Sequence, residues 1–250
     1  FDLNNGQADE AFAQVKDHPY LNLLGLHCHI GSQIFETDGF ALAAGKVMNK
    51  MGAWKQTHGF ECSVLNLGGG FGIRYTEEDK PLEPHVYVEE MIKSVQAEAE
   101  AVKLAMPEIW IEPGRSLVGD AGTSLYTVGS QKTVPGVRQY IAVDGGMSDN
   151  IRPALYDAKY EAIIANKANQ AKDATYTVAG KLCESGDKLI IDAALQKAES
   201  GDILAMFCTG AYGYSMASNY NRVPRPAVVF VEAGEHQLAI RRESYDDIVV

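Results

Sequence analysis

Two patterns alternate through the first 115 residues, and their alternation restricts the fold more than any single motif. Ala8, Ala11, Phe12 and Val15 recur at steps of three and four, which predicts a helix. Phe40, Ala43, Val47, Met51 and Trp54 predict a second. Val88, Met91, Ile92, Val95, Ala99 and Val102 predict a third, with Pro84 near its start. Between these lie apolar runs at about Leu21–Ile30, Val64–Leu67 and Ile109–Ile111, which predict strands. Strands alternating with helices are βα units on a parallel sheet.

The texture then changes. Leu125–Val134 and Val137–Val143 flank the turn Pro135-Gly136. Tyr176–Leu182, Leu189–Ile191, Ile203–Cys208 and Val228–Glu232 are further short runs, and Gly234-Glu235-His236 opens a hairpin into Gln237–Arg241. Many short strands with Gly and Pro turns predict an antiparallel barrel or sandwich. The fold class is therefore α/β plus β, with a boundary near Asp120–Thr123 and domains at 1–121 and 122–250. A closed βα barrel needs eight strands. The first half supplies about three, so it is a small open sheet or the later part of a barrel.

A net charge of −11 argues against nucleic acid as a partner, since a phosphate backbone requires clustered Lys and Arg. Cys28, Cys62, Cys183 and Cys208 are scattered without a CxxC pair. They predict no disulfide framework and a reducing compartment, the cytoplasm. No apolar stretch reaches membrane-spanning length, so no membrane partner is expected.

The chemistry sits where strands end. Leu26-His27-Cys28-His29-Ile30-Gly31-Ser32-Gln33 closes the first apolar run with two histidines, a glycine and a hydroxyl. On a strand, His27 and His29 would share a face. They read as a metal pair, as a ring that stacks on a flat cofactor, or as polar groups satisfied at a rim. Gly68-Gly69-Gly70 follows the next strand directly, and consecutive glycines expose backbone N–H groups as a phosphate nest or make a tight turn. Glu112-Pro113-Gly114-Arg115 puts a carboxylate at the last strand position and an arginine one turn on. The glutamate suits a ring nitrogen and the arginine suits phosphate or carboxylate, or the two pair with each other.

Arg152-Pro153-Ala154-Leu155-Tyr156, Cys183-Glu184-Ser185-Gly186-Asp187 and Gly210-Ala211-Tyr212 follow at turns of the β half. Together, and in this order, these segments resemble the pyridoxal-phosphate decarboxylases of the alanine-racemase-like fold, in particular the members that act on diaminopimelate. The similarity runs over essentially all 250 residues.

The resemblance implies a partial (β/α)8 TIM barrel that carries the cofactor, followed by a C-terminal β domain. It implies pyridoxal 5'-phosphate as cofactor and no metal. His29 would stack on the pyridine ring. Ser32, Gly68, Gly69, Gly70 and Tyr212 would bind phosphate. Glu112 would pair with the pyridinium nitrogen, and Arg115 would lie by phosphate and substrate. Arg152 and Tyr156 would grip a distal carboxylate, with Tyr212 alongside. Cys183 would protonate the reacting carbon and Glu184 would read the distal amino group, both from the partner subunit of a homodimer. An amino-acid group at both ends of the substrate favours diaminopimelate, giving lysine and CO2, over arginine, ornithine or carboxynorspermidine.

One element of the family pattern has no match. The Schiff-base lysine belongs to an early barrel strand, which would precede Phe1, so the chain reads as a fragment that is inactive alone. Ile164-Ala165-Asn166-Lys167-Ala168-Asn169 imitates that motif but falls in the wrong half. Two rivals remain: a metal-dependent barrel hydrolase using His27 and His29, and a non-catalytic homologue that acts by heterodimerising.

Overall fold

A computed structural model describes residues 1–249. The chain divides into two compact units. One comprises Phe1–Ile73 and Lys80–Ser116; the other comprises Arg74–Asp79 and the chain from Leu117 on.

The first unit is built from α1 (Gln7–Val15), β1 (Gly25–His27), α2 (Asp38–His58), β2 (Val64–Asn66), α3 (Pro84–Val102) and β3 (Glu108–Trp110). The three predicted helices form where apolar spacing places them. α3 starts on Pro84, whose missing N–H costs nothing in a first turn. α2 stops at Gly59, which takes the left-handed conformation of a helix cap at φ 66°. The strands are parallel in the order β1-β2-β3. Behind them Phe40, Met48, Met51, Leu65, Leu67, Phe71, Tyr87 and Met91 form a buried core. Phe71 and Tyr87 stack at 4.8 Å, and the Tyr87 hydroxyl donates to the carbonyl of Ile34 at 2.8 Å.

Two expectations about these strands change. The strand expected over Leu21–Ile30 is only Gly25–His27, so His29 lies beyond it and strand alternation does not orient it. β3 ends at Trp110, so Glu112 stands in the following loop rather than at the last strand position.

After α4 (Arg115–Val118), a single turn, the second unit holds β4 (Ser124–Val134), β5 (Arg138–Val143), α5 (Arg152–Tyr156), β6 (Ala162–Ile164), β7 (Ala174–Ala179), β8 (Lys188–Leu195) and β9 (Ile203–Met206). Six strands form one sheet in the order β6-β9-β4-β5-β7-β8. It is not wholly antiparallel as expected, because β5 and β7 run parallel. The intervening α5, β6 and loops supply the crossover that such a pair requires. The sheet curls into a nearly closed mixed barrel. Gln196, next after β8, accepts the N–H of Ile164 on β6 at 2.9 Å and draws the two edges together. Tyr126, Val128, Ile141, Ile164, Val178, Leu189, Leu204 and Met206 fill its interior.

β10 (Val228–Glu232) and β11 (Glu235–Ile240) form the predicted hairpin. Its turn residues Ala233 and Gly234 both have positive φ, at 51° and 85°. This geometry matches the twist of a tight hairpin.

Candidate functional site

Parallel register sets the first cluster. His27, Asn66 and Trp110 lie opposite one another in a row at the carboxyl ends of β1, β2 and β3. All three following loops therefore leave the same sheet edge, where parallel α/β sheets place their ligands. The loops are knitted by backbone bonds: Cys28 N–H to Asn66 O at 2.9 Å, Leu67 N–H to Trp110 O at 3.1 Å, and Glu112 N–H to Gly68 O at 2.7 Å.

The glycine run exists because these loops touch. A Cβ on Gly69 would lie 2.1 Å from the carbonyl oxygen of Glu112. One on Gly70, itself at φ +97°, would lie 2.2 Å from that of Gly31. Backbone contact at that range excludes every other residue type. Gly68 packs against the imidazole of His29, which stands exposed at the edge.

Glu112 is held at both oxygens. Asn66 Nδ2 donates to Oε1 at 2.9 Å, and His27 Nε2 lies 3.2 Å from Oε2. Asn66 in turn accepts the N–H of Gly68 at 2.9 Å, so one amide couples the carboxylate to the glycine loop. Buried Arg115 donates from Nη2 to the Ser32 hydroxyl at 3.0 Å. The edge thus gathers a carboxylate, two imidazoles, a guanidinium with a hydroxyl, and a glycine loop. The family resemblance left His27 without a role, and sequence reasoning did not single out Asn66. The signal was its place at the end of β2, two residues before the first of the glycines. His27 is engaged with Glu112 rather than paired with His29, and among the described residues no three His, Cys, Asp or Glu groups converge as a metal site.

The second unit holds the remaining candidates. Arg152 opens α5 and is 8% exposed. Its Nη1 donates to the Tyr160 hydroxyl, and its guanidinium carbon lies 5.1, 5.7 and 5.9 Å from the ring centres of Tyr75, Tyr160 and Tyr212. Tyr156, four residues on, is exposed. Tyr212 holds a left-handed backbone at φ 60°, directly after the Gly210-Ala211 turn.

Cys183 and Glu184 project from the loop between β7 and β8, and both are exposed. The Cys183 N–H donates to Asn221 Oδ1 at 3.0 Å. Buried Asp187 anchors this loop and the one leading to Arg152. Its carboxylate accepts the N–H of Leu182 at 2.8 Å and of Met147 at 2.7 Å. Burial raises its carboxyl above the ordinary value; those two N–H bonds pull the other way, and nearby Glu184 adds to the rise. Burial likewise raises Asp149, whose Oδ1 accepts the N–H of Gly146 at 3.0 Å.

Lys167 is removed from the candidates. Its ammonium lies 2.7 Å from Asp202 and 3.1 Å from Glu199 and donates to the carbonyl of Lys197 at 3.1 Å. The Asp202 hydrogen bond, above all, pushes its proton affinity up. A lysine that must lose its proton to attack a carbonyl needs the opposite surroundings.

Residues 1–119 match the family of the pyridoxal-dependent decarboxylase, pyridoxal binding domain. Over 249 residues the chain is 64% identical to the diaminopimelate decarboxylase of Bacillus subtilis, covering 100% of this chain and 57% of that protein. A diaminopimelate decarboxylase from M. jannaschii in complex with L-lysine superposes with a TM-score of 0.91 at 37% identity, over 99% of this chain and 56% of that one. The Helicobacter pylori enzyme complexed with L-lysine gives 0.84 at 30% identity, over 96% and 57%. The chain therefore spans a little over half the length of the curated relatives it matches. It has the alanine-racemase-like decarboxylase fold, and among the described residues no helix is long and apolar enough to cross a membrane. Residues 1–119 thus match the pyridoxal-binding domain of the pyridoxal-dependent decarboxylases, and the chain as a whole is similar in sequence and fold to the diaminopimelate decarboxylases.

Proposed function

We propose that the protein decarboxylates meso-2,6-diaminopimelate to L-lysine and CO2. The observation that carries this reading is the convergence of Glu112, His29, the Arg115–Ser32 pair and the glycine loop at one edge of β1-β2-β3. That donor set fits pyridoxal phosphate: an anionic oxygen for the ring nitrogen, an imidazole for the ring, and cationic, hydroxyl and N–H donors for the phosphate. When bound, the cofactor supplies the electron sink that loss of CO2 from an α-amino acid requires.

In this reading, residues 1–121 are the later part of a (β/α)8 barrel and residues 122–250 the β domain. Glu112 holds the pyridinium proton, and His29 takes the ring face. Ser32, Gly68, Gly69, Gly70 and Tyr212 bind phosphate, and Arg115 serves phosphate and substrate. Arg152, with Tyr156 and Tyr212, takes the distal carboxylate. Cys183 delivers the proton that replaces the lost carboxylate, and Glu184 binds the distal ammonium. Both act from the partner subunit of a homodimer, which fits their exposure here. Four free thiols suit the cytoplasm.

The test is lysine and CO2 release by the whole protein with pyridoxal phosphate. Diaminopimelate should be the preferred substrate over ornithine, arginine and carboxynorspermidine. Turnover of one of those three without turnover of diaminopimelate would refute the assignment.

A further inference from the structure

Arg152 is a buried cation. Among the described residues no carboxylate forms an ion pair with it. Its hydrogen-bonding and ring contacts go to Asn150 through the backbone and to tyrosines through the guanidinium. The surroundings are therefore selective in kind. A neighbouring carboxylate would orient the guanidinium but also neutralise it. A tyrosine ring attracts the cation through its electron-rich face and contributes no net charge. A phenol oxygen accepting from Nη1 fixes the fork and leaves its own O–H as a donor. Such a box orients the charge while preserving its demand for an anion.

Tyr160 sits eight residues after Arg152 and is 4% exposed, with its hydroxyl on Nη1. Tyr75 is 7% exposed and stands edge-on to Tyr160, with ring centres 5.4 Å apart. It arrives from a distant part of the sequence, in the segment Arg74–Asp79. That segment is pinned in place. Glu161 accepts the N–H of Glu77 at 2.7 Å, Asp79 accepts those of Tyr75 and Thr76 at 3.0 and 2.9 Å, and Cys208 Sγ donates to the Arg74 carbonyl at 3.2 Å.

We propose that Tyr75 and Tyr160 are positioning residues that set the specificity of this protein for a substrate bearing a carboxylate at its far end. They act through Arg152, and the inference rests on the reading of Arg152 as the distal-carboxylate site. A ligand ending in an ammonium or a methyl group gains nothing from the box, because the uncompensated guanidinium repels the first and is left unpaired by the second.

The experiment is calorimetric binding of L-lysine and of cadaverine to the whole protein loaded with pyridoxal phosphate. L-lysine carries the carboxylate that cadaverine lacks. Losing the hydrogen bond in Tyr160→Phe should weaken L-lysine about tenfold, the usual scale for a bond to a charged group, and leave cadaverine within about twofold. Tyr75→Leu should act in the same direction, while Tyr75→Phe, which keeps the ring, should hold L-lysine within about twofold of wild type. Wild-type preference for L-lysine with unchanged binding in both Tyr160→Phe and Tyr75→Leu would overturn the inference and leave the Arg152 reading standing. A wild-type protein that does not prefer L-lysine to cadaverine would overturn both.

Discussion

His27 Nε2 and Glu112 Oε2 lie 3.2 Å apart, and Asn66 holds the other oxygen of the same carboxylate at 2.9 Å. Two residues, at the ends of β1 and β2, thus fix the one anionic group in the loop after β3. Glu112→Gln keeps a hydrogen-bonding side chain and removes the charge, so kcat of the whole protein should fall roughly a hundredfold. Asn66→Ala leaves the charge but frees the carboxylate and the Gly68 N–H together, and should cost about tenfold in kcat. Full activity in Asn66→Ala would show that the amide is not needed to orient Glu112.

Asp187 ties the loop that leads to Arg152 to the loop of Cys183 and Glu184. Asp187→Ala orphans two backbone donors in a buried place and should cost about 3 kcal/mol in urea unfolding. Its raised carboxyl also predicts a pH dependence. The folded state binds this proton more tightly than the unfolded chain, so the group's contribution falls as pH rises from the ordinary value of 3.8 through the folded value. Asp187→Asn should abolish that part of the slope. An unchanged profile of stability against pH in this variant would contradict the assignment.

The base of the β10–β11 hairpin has the opposite sign. Glu243 accepts from Arg225 Nε at 2.7 Å, from the Arg225 N–H at 2.8 Å and from Asn219 at 2.6 Å, and its carboxyl is lowered to about 2 by Arg225 first of all. A depressed carboxyl stabilises fully above its unfolded value of 4.5, and the contribution is lost as pH falls toward about 2. Amide exchange in Val228–Ile240, corrected for intrinsic rates, should therefore accelerate between those limits. In Glu243→Gln protection should be weaker and flat across the same range.

Lys167 should prove structural. Lys167→Met removes the partner of Asp202 and Glu199 and should lower Tm by several degrees. Borohydride reduction of the whole protein with pyridoxal phosphate should still label a lysine in this variant. Loss of the label, with folding intact, would restore Lys167 as the anchor.

The helices were legible because each has one buried face, and three-and-four spacing records it directly. The glycine run was legible as a turn or a nest, but the reason for it, the close approach of the Glu112 and Gly31 carbonyls, depends on chain segments far away in sequence. The same holds for His27. Nothing within β1 indicates that Glu112, 85 residues on, faces its imidazole; only parallel register supplies that. Leu21–Ile30 read as one strand because an apolar run has no internal mark for where pairing stops, and pairing stops at His27. The parallel β5–β7 pair was hidden for a related reason, since strand direction is set by connections rather than by residue pattern. Tyr75 and Tyr160 were unremarkable as residues and acquire meaning only around Arg152.

The segment Arg74–Asp79 belongs to the second unit although the chain on both sides of it belongs to the first. The second unit is therefore not one continuous stretch of chain. No single cut yields the β unit intact, and a gene fragment starting at Leu117 would encode the Arg152 box without its Tyr75 wall. A chimera that takes only the chain from Leu117 on from a relative would set that relative's guanidinium against this protein's Tyr75.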